Sequence, residues 1–160
     1  MGSNSDGRGS EPQRYLFELV KEIYSEYEVV YELLIPYLNQ RFDIFVLELG
    51  IAIEYDGEQH EKFNEFFHKD INGFIESKKL DNSKEIFCEE NGIKLVRIKG
   101  FVFDINKNKL RDIIDSVEYP EEDFCTSVLE YVSRRLEKDR ERRHEAYKKA
   151  KERNKNRKGI

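Results

Sequence analysis

Apolar residues recur along this chain in two rhythms, and each change of rhythm predicts a new element. From Pro12 to Tyr27, Leu16, Leu19, Val20 and Ile23 fall at helical spacing, which predicts an amphipathic helix with one stripe toward a core. Pro12 suits the first turn of such a helix, where its missing N–H costs nothing. Glu28 to Pro36 (EVVYELLIP) is rich in β-branched and aromatic residues and predicts a strand. Asn39 and Gln40 then supply a turn. Arg41 to Leu47 alternates Phe42, Ile44 and Val46 against Arg41, Asp43 and Phe45, and Leu49 to Tyr55 (LGIAIEY) is a further apolar run with Gly50 near its turn. Three such segments in succession predict an antiparallel meander.

Asp56 to His68 reads as a loop with aromatic content, and Lys69 to Asn91 as a helix closed by the Asn91–Gly92 pair, a C-cap signal. Ile93 to Lys99 predicts a strand, and about Asn106 to Val117 a helix. Tyr119–Pro120 breaks the chain. Glu121 to about Lys155 then reads as one long polar helix, with Phe124, Val128, Leu129, Val132 and Leu136 as its docking stripe and almost nothing to bury beyond. This order predicts an α/β fold: a mixed sheet of about four strands flanked by helices, with a long charged C-terminal helix. The domain reading is residues 12–118 as the core and 119–160 as a helical extension. Residues 1–11, which begin MGSNSDGRGS, read as a disordered leader or cloning scar.

Charge changes this picture more than size does. The 160 residues carry a net charge of −5, which alone argues against a nucleic-acid binder. Arg134 to Ile160, however, holds 13 Lys and Arg against 5 Asp and Glu, a net of +8, and leaves −13 on the rest. Local acid can hold cations while local base holds phosphates. No apolar run approaches membrane-spanning length, and the expectation is a cytoplasmic protein. Cys88 and Cys125 are far apart and lack C-x-x-C spacing, so they read as buried thiols.

The candidate chemistry lies on the hairpin. If its turn centres between Glu48 and Leu49, residues whose numbers sum to 97 face each other, and Asp43 and Glu54 form such a pair. Like charges so placed repel. Asp56, two residues beyond Glu54, shares its face. A divalent cation would make the three carboxylates favourable, and oxygen-only ligands suit Mg²⁺ or Mn²⁺. Glu54 ends the apolar run IAI and needs a partner there, a cation or a basic side chain such as Arg41 or Lys84. Gly57 allows a sharp turn, and Gln59 and His60 follow it. A histidine so near carboxylates can act as general acid, general base or phosphate ligand. Taken singly, each of these residues also has an ordinary structural reading.

The run R-F-D, eleven residues from Asp43 to Glu54, and then E-Y-D-G-E-Q-H resembles the PD-(D/E)XK nuclease superfamily. The branch it most resembles is that of very-short-patch-repair endonucleases and related phage and homing nucleases. E-E-N-G-I followed by K-L-V-R-I matches that branch's continuation. The resemblance covers roughly Pro12 to Ile98. It implies a restriction-endonuclease-like fold and a Mg²⁺-dependent DNA endonuclease, with Mn²⁺ as substitute and a phage-encoded origin in a bacterial host. Asp43, Glu54 and Asp56 would hold metal, with Gln59 and His60 completing the site. The signature lysine is absent, because Asp56 takes its place. His60, His68 or Lys84 would take over its role, although Lys84 could also pair with Asp81. Glu18 or Glu22 would match a glutamate of the first helix. Contacts to DNA would come from Arg41, His68, Arg134, Arg135, Arg142, Arg143, Lys148, Lys149 and Lys151, with the interleaved acids arguing for a merely solvated helix or a dimer contact. Two other readings compete: a decayed nuclease module that only binds nucleic acid or a partner protein, and a nuclease subunit of a larger assembly.

Overall fold

The structure is a computed structural model that describes residues 10–35, 38–57 and 71–158. It divides into two compact units, Met1–Cys125 and Thr126–Ile160. The first holds α1 (Glu11–Ile23), β1 (Val29–Ile35), β2 (Gln40–Val46), β3 (Ile51–Tyr55), α2 (Ile71–Glu90), β4 (Lys94–Ile98) and α3 (Lys107–Ser116). The second is α4 (Thr126–Lys158). The fold is thus mixed α/β, with a four-stranded mixed sheet, flanking helices and a long C-terminal helix.

The strands lie in chain order, β1-β2-β3-β4. The first three form the expected antiparallel meander, and β4 returns parallel to β3 after α2. The hairpin register is the one read from the sequence: Ile44 pairs with Ile53, Phe45 with Ala52 and Val46 with Ile51, each pair summing to 97. Its turn places Gly50 at φ +63°, a conformation L side chains adopt at a cost.

Alternation sorts the side chains into two layers. Ile44, Val46, Ile51, Ile53, Val96 and Ile98 form one buried cluster with Leu16 and Val20 of α1 and Leu110 and Ile114 of α3. The opposite face carries Phe45, which stacks with Phe42, and Phe42 in turn meets Phe87 of α2. The α1 stripe works as predicted, although the helix starts at Glu11, capped by Ser10, and ends at Ile23. Lys94 is buried at the start of β4. Its ammonium donates to the Ile114 carbonyl at 3.1 Å, at the end of α3 where cations are favoured.

Helix α4 begins at Thr126, not at Glu121. The preceding segment is tied to the first unit instead. Tyr119 Oη donates to the Leu49 carbonyl at 2.8 Å, the Cys125 N–H to the Asn91 carbonyl at 2.9 Å, and the Phe124 ring sits against Gly50. Residues 119–125 accordingly group with the first unit. Within α4, Arg134 pairs with Glu130 and Arg142 with Asp139, while Arg135, Arg143, Lys148 and Lys149 are exposed.

Candidate active site

Asp43 and Glu54 stand where the β2–β3 ladder stops. The last paired residues are Ile44 and Ile53. Beyond them the two carboxylates replace the ladder bonds. The Asp43 N–H donates to Glu54 Oε2 at 2.7 Å, and the Tyr55 N–H donates to Asp43 Oδ2 at 2.8 Å. Each acid is thereby fixed to the other's strand. Glu54 is only 4% exposed, and Lys84 of α2 supplies its counter-charge, with Nζ 2.5 Å from Oε1. Of the two basic partners the sequence offers Glu54, the structure selects Lys84. Arg41 is exposed and donates to the Glu32 carbonyl at 3.1 Å.

Burial pushes the Asp43 carboxyl up to about 7. The neighbouring Glu54 charge adds to the rise, while the Tyr55 N–H and Lys84 oppose it. Glu32 contributes a smaller upward push. Nothing in the sequence pattern marks that residue. It lies across β1 from Asp43, between the pairs Tyr31–Ile44 and Leu33–Phe42. Its φ is +52°, and the buried Gln13 amide of α1 donates to its Oε1 at 3.4 Å. A left-handed glutamate inside a strand is costly. Next to it in the ladder, Leu33 pairs with Phe42, whose ring stacks on Phe45 at 5.5 Å.

Asp56 has a different partner. Arg97, which faces Glu54 in the parallel β3–β4 register, reaches Asp56 Oδ1 at 3.1 Å and Glu85 at 3.4 Å. The expected three-carboxylate cage is not drawn together: among the described residues, no group of three His, Cys, Asp or Glu side chains is placed to hold a metal ion. Asp56 is paired with Arg97, whose alternation with the buried Val96 and Ile98 could have announced it. Gly57 turns the chain at φ +69°, as its position after Asp56 suggests. Gln59, His60 and His68 lie outside the described residues. Glu18 is exposed and paired with Lys21, and Glu22 is exposed, so neither helix glutamate joins the cluster. The helix contributes Gln13 instead.

Comparison with known proteins adds viral relatives and no activity. The chain is 35% identical over 60 residues to "Uncharacterized protein 033L" of Invertebrate iridescent virus 3, covering 38% of this chain and 31% of that protein. It is 32% identical over 78 residues to "Uncharacterized protein 307L" of Invertebrate iridescent virus 6, covering 47% and 40%. The chain thus spans well under half the length of these relatives, which come from viruses of invertebrates rather than phages. No family model and no solved structure matches. Among the described residues, no helix is long and apolar enough to cross a membrane.

Proposed function

We propose that the chain is a metal-dependent endonuclease of restriction-endonuclease-like fold that hydrolyses phosphodiester bonds in DNA. The observation that carries the reading is the locked pair Asp43–Glu54 with Lys84 against it. A buried carboxylate and a half-buried one side by side are an expensive arrangement for a fold to keep, and a hard cation would relieve it.

Asp43 and Glu54 would supply two oxygen donors of the kind that Mg²⁺ and Mn²⁺ prefer. When bound, the metal would lower the barrier by neutralising charge on the phosphate and acidifying water. The chain's own groups do the rest. Lys84, which reaches the pair from α2, takes the place of the missing signature lysine. Its ammonium stabilises the charge that builds on the phosphate oxygens as water attacks phosphorus and the P–O bond to the leaving oxygen breaks. Glu54 holds that ammonium in place. Asp56 and Arg97 fasten the end of β3 to β4 beside them.

Incubation of supercoiled plasmid with the protein and Mg²⁺ or Mn²⁺ should give nicked and linear forms. Asp43→Asn should abolish them, and Lys84→Ala should slow them by about a hundredfold or more. Mn²⁺ should also raise the Tm of the wild type but not of Asp43→Asn/Glu54→Gln. Equal cutting by the Asp43→Asn protein would trace the activity to a contaminant and remove the assignment.

A further inference from the structure

The loop after β4 shows two adjacent phenylalanines to solvent. Phe101 is 67% exposed and Phe103 44%. Their rings meet edge to face at 5.5 Å, and Phe103 is backed by Tyr15 of α1 at 5.3 Å. Tyr15 is itself fixed, its hydroxyl donating to the Ile105 carbonyl at 2.7 Å. The loop is anchored on both sides. Val102, between the two phenylalanines in the chain, is buried in the core, and the Tyr55 hydroxyl donates to the Gly100 carbonyl at 3.2 Å. This is a built aromatic step, and water gains nothing from it.

Strands β3 and β4 run parallel, so the loop leaves the same end of the sheet at which Glu54 and Tyr55 close β3. The Asp56 N–H donates to the Ile98 carbonyl at 2.9 Å, three residues before Phe101. The surrounding charge is basic. Lys99, Lys107 and Lys109 are exposed on the loop and the first turn of α3, against a single acid, Asp104, between 99 and 109. Aromatic faces flanked by cations suit a nucleobase with its phosphates: the rings stack on a base, and the lysines meet the backbone. A fully paired base offers no free face for such stacking.

Resting on the nuclease reading, we propose that Phe101 and Phe103 form a stacking platform for an unpaired nucleotide beside the cut site, so that the favoured substrate is DNA with single-stranded character. Lys99, Lys107 and Lys109 hold the adjoining phosphates. The platform orients a strand that crosses this end of the sheet, and duplex DNA engages it only where a base is already unpaired.

The test uses the full chain with EDTA present, so binding is read apart from cutting. Phe101→Trp, conservative at an exposed position, supplies an indole on the platform. Its emission should be quenched by oligothymidylate and not by a long blunt-ended duplex at equal phosphate concentration. Phe101→Ala/Phe103→Ala should weaken oligothymidylate binding by about tenfold to a hundredfold while leaving duplex binding within about twofold. Phe101→Ala alone, whose ring is mostly in solvent, guards against a folding defect and should still weaken binding severalfold. Equal quenching by the duplex, or unchanged oligothymidylate affinity in both alanine variants, overturns the platform even if plasmid is still cut. Selective quenching in a protein that cuts nothing with Mg²⁺ or Mn²⁺ upholds the platform and removes the nuclease reading instead.

Discussion

At the residue scale the decisive fact is that Asp43 is held up at about 7 from an ordinary value of 3.8, first by burial and then by Glu54. The sign of its effect on stability follows. Between those two values the folded protein binds more protons at this site than the unfolded chain does, so stability falls as pH rises. Each tenfold change in proton affinity is worth about 1.4 kcal/mol. Without divalent metal, the wild type should therefore lose stability between pH 5 and pH 8. Asp43→Asn, whose amide oxygen can still accept from the Tyr55 N–H, should lose less and become the more stable of the two at pH 8. Urea unfolding at several pH values would show this, and parallel curves for the two proteins would refute it. Asp43 and Glu54 were legible as a pair because strand pairing turns sequence spacing into proximity. Lys84 was legible only as one of several options, since thirty residues and a helix separate it from Glu54. Glu32 was hidden altogether: a left-handed glutamate in an apolar strand leaves no mark on the hydrophobic pattern.

At the element scale, most boundaries followed from periodicity because each element buries one regular face. The meander, the parallel return strand and the stripes of α1 and α3 are of this kind. The failures have physical causes. Helix α1 stops early because Ile23 is the last residue of its stripe and the chain then turns toward β1. Helix α4 starts late because the residues before it are held by β-sheet loops. That hold depends on Gly92, which has φ +68° and whose absent Cβ would lie 2.3 Å from the Asp123 backbone. Gly92→Ala adds two costs, the left-handed penalty of about 1–2 kcal/mol and a clash with backbone that cannot rotate away. Denaturant unfolding should show a destabilisation larger than that penalty alone. A change under about 1 kcal/mol would mean that the 119–125 segment moves aside freely and is not part of the first unit's packing.

At the scale of the whole molecule, charge is the property that divides the two units. The first carries the acidic pair, whereas α4 beyond Leu136 exposes nearly every side chain and holds most of the basic excess. A 33-residue helix at 1.5 Å per residue runs for about 50 Å, enough to follow several phosphates of a nucleic-acid backbone. Pairs such as Arg134–Glu130 and Arg142–Asp139 are i, i+4 and i, i+3 pairs on exposed helix surface and add little stability. Their cations stay available for phosphates, which compete well against a solvated carboxylate. Counterion release makes this measurable, because affinity falls with salt in proportion to the phosphates neutralised. A chain ending at Leu136 should keep the first unit folded, bind duplex DNA more weakly at low salt, and show a shallower dependence of log affinity on log salt. Every phosphate that α4 no longer neutralises should lower the slope by about 0.9. An unchanged slope would free α4 from nucleic acid and leave association between copies of the chain as its purpose, which equilibrium sedimentation of the full-length and shortened proteins would then decide.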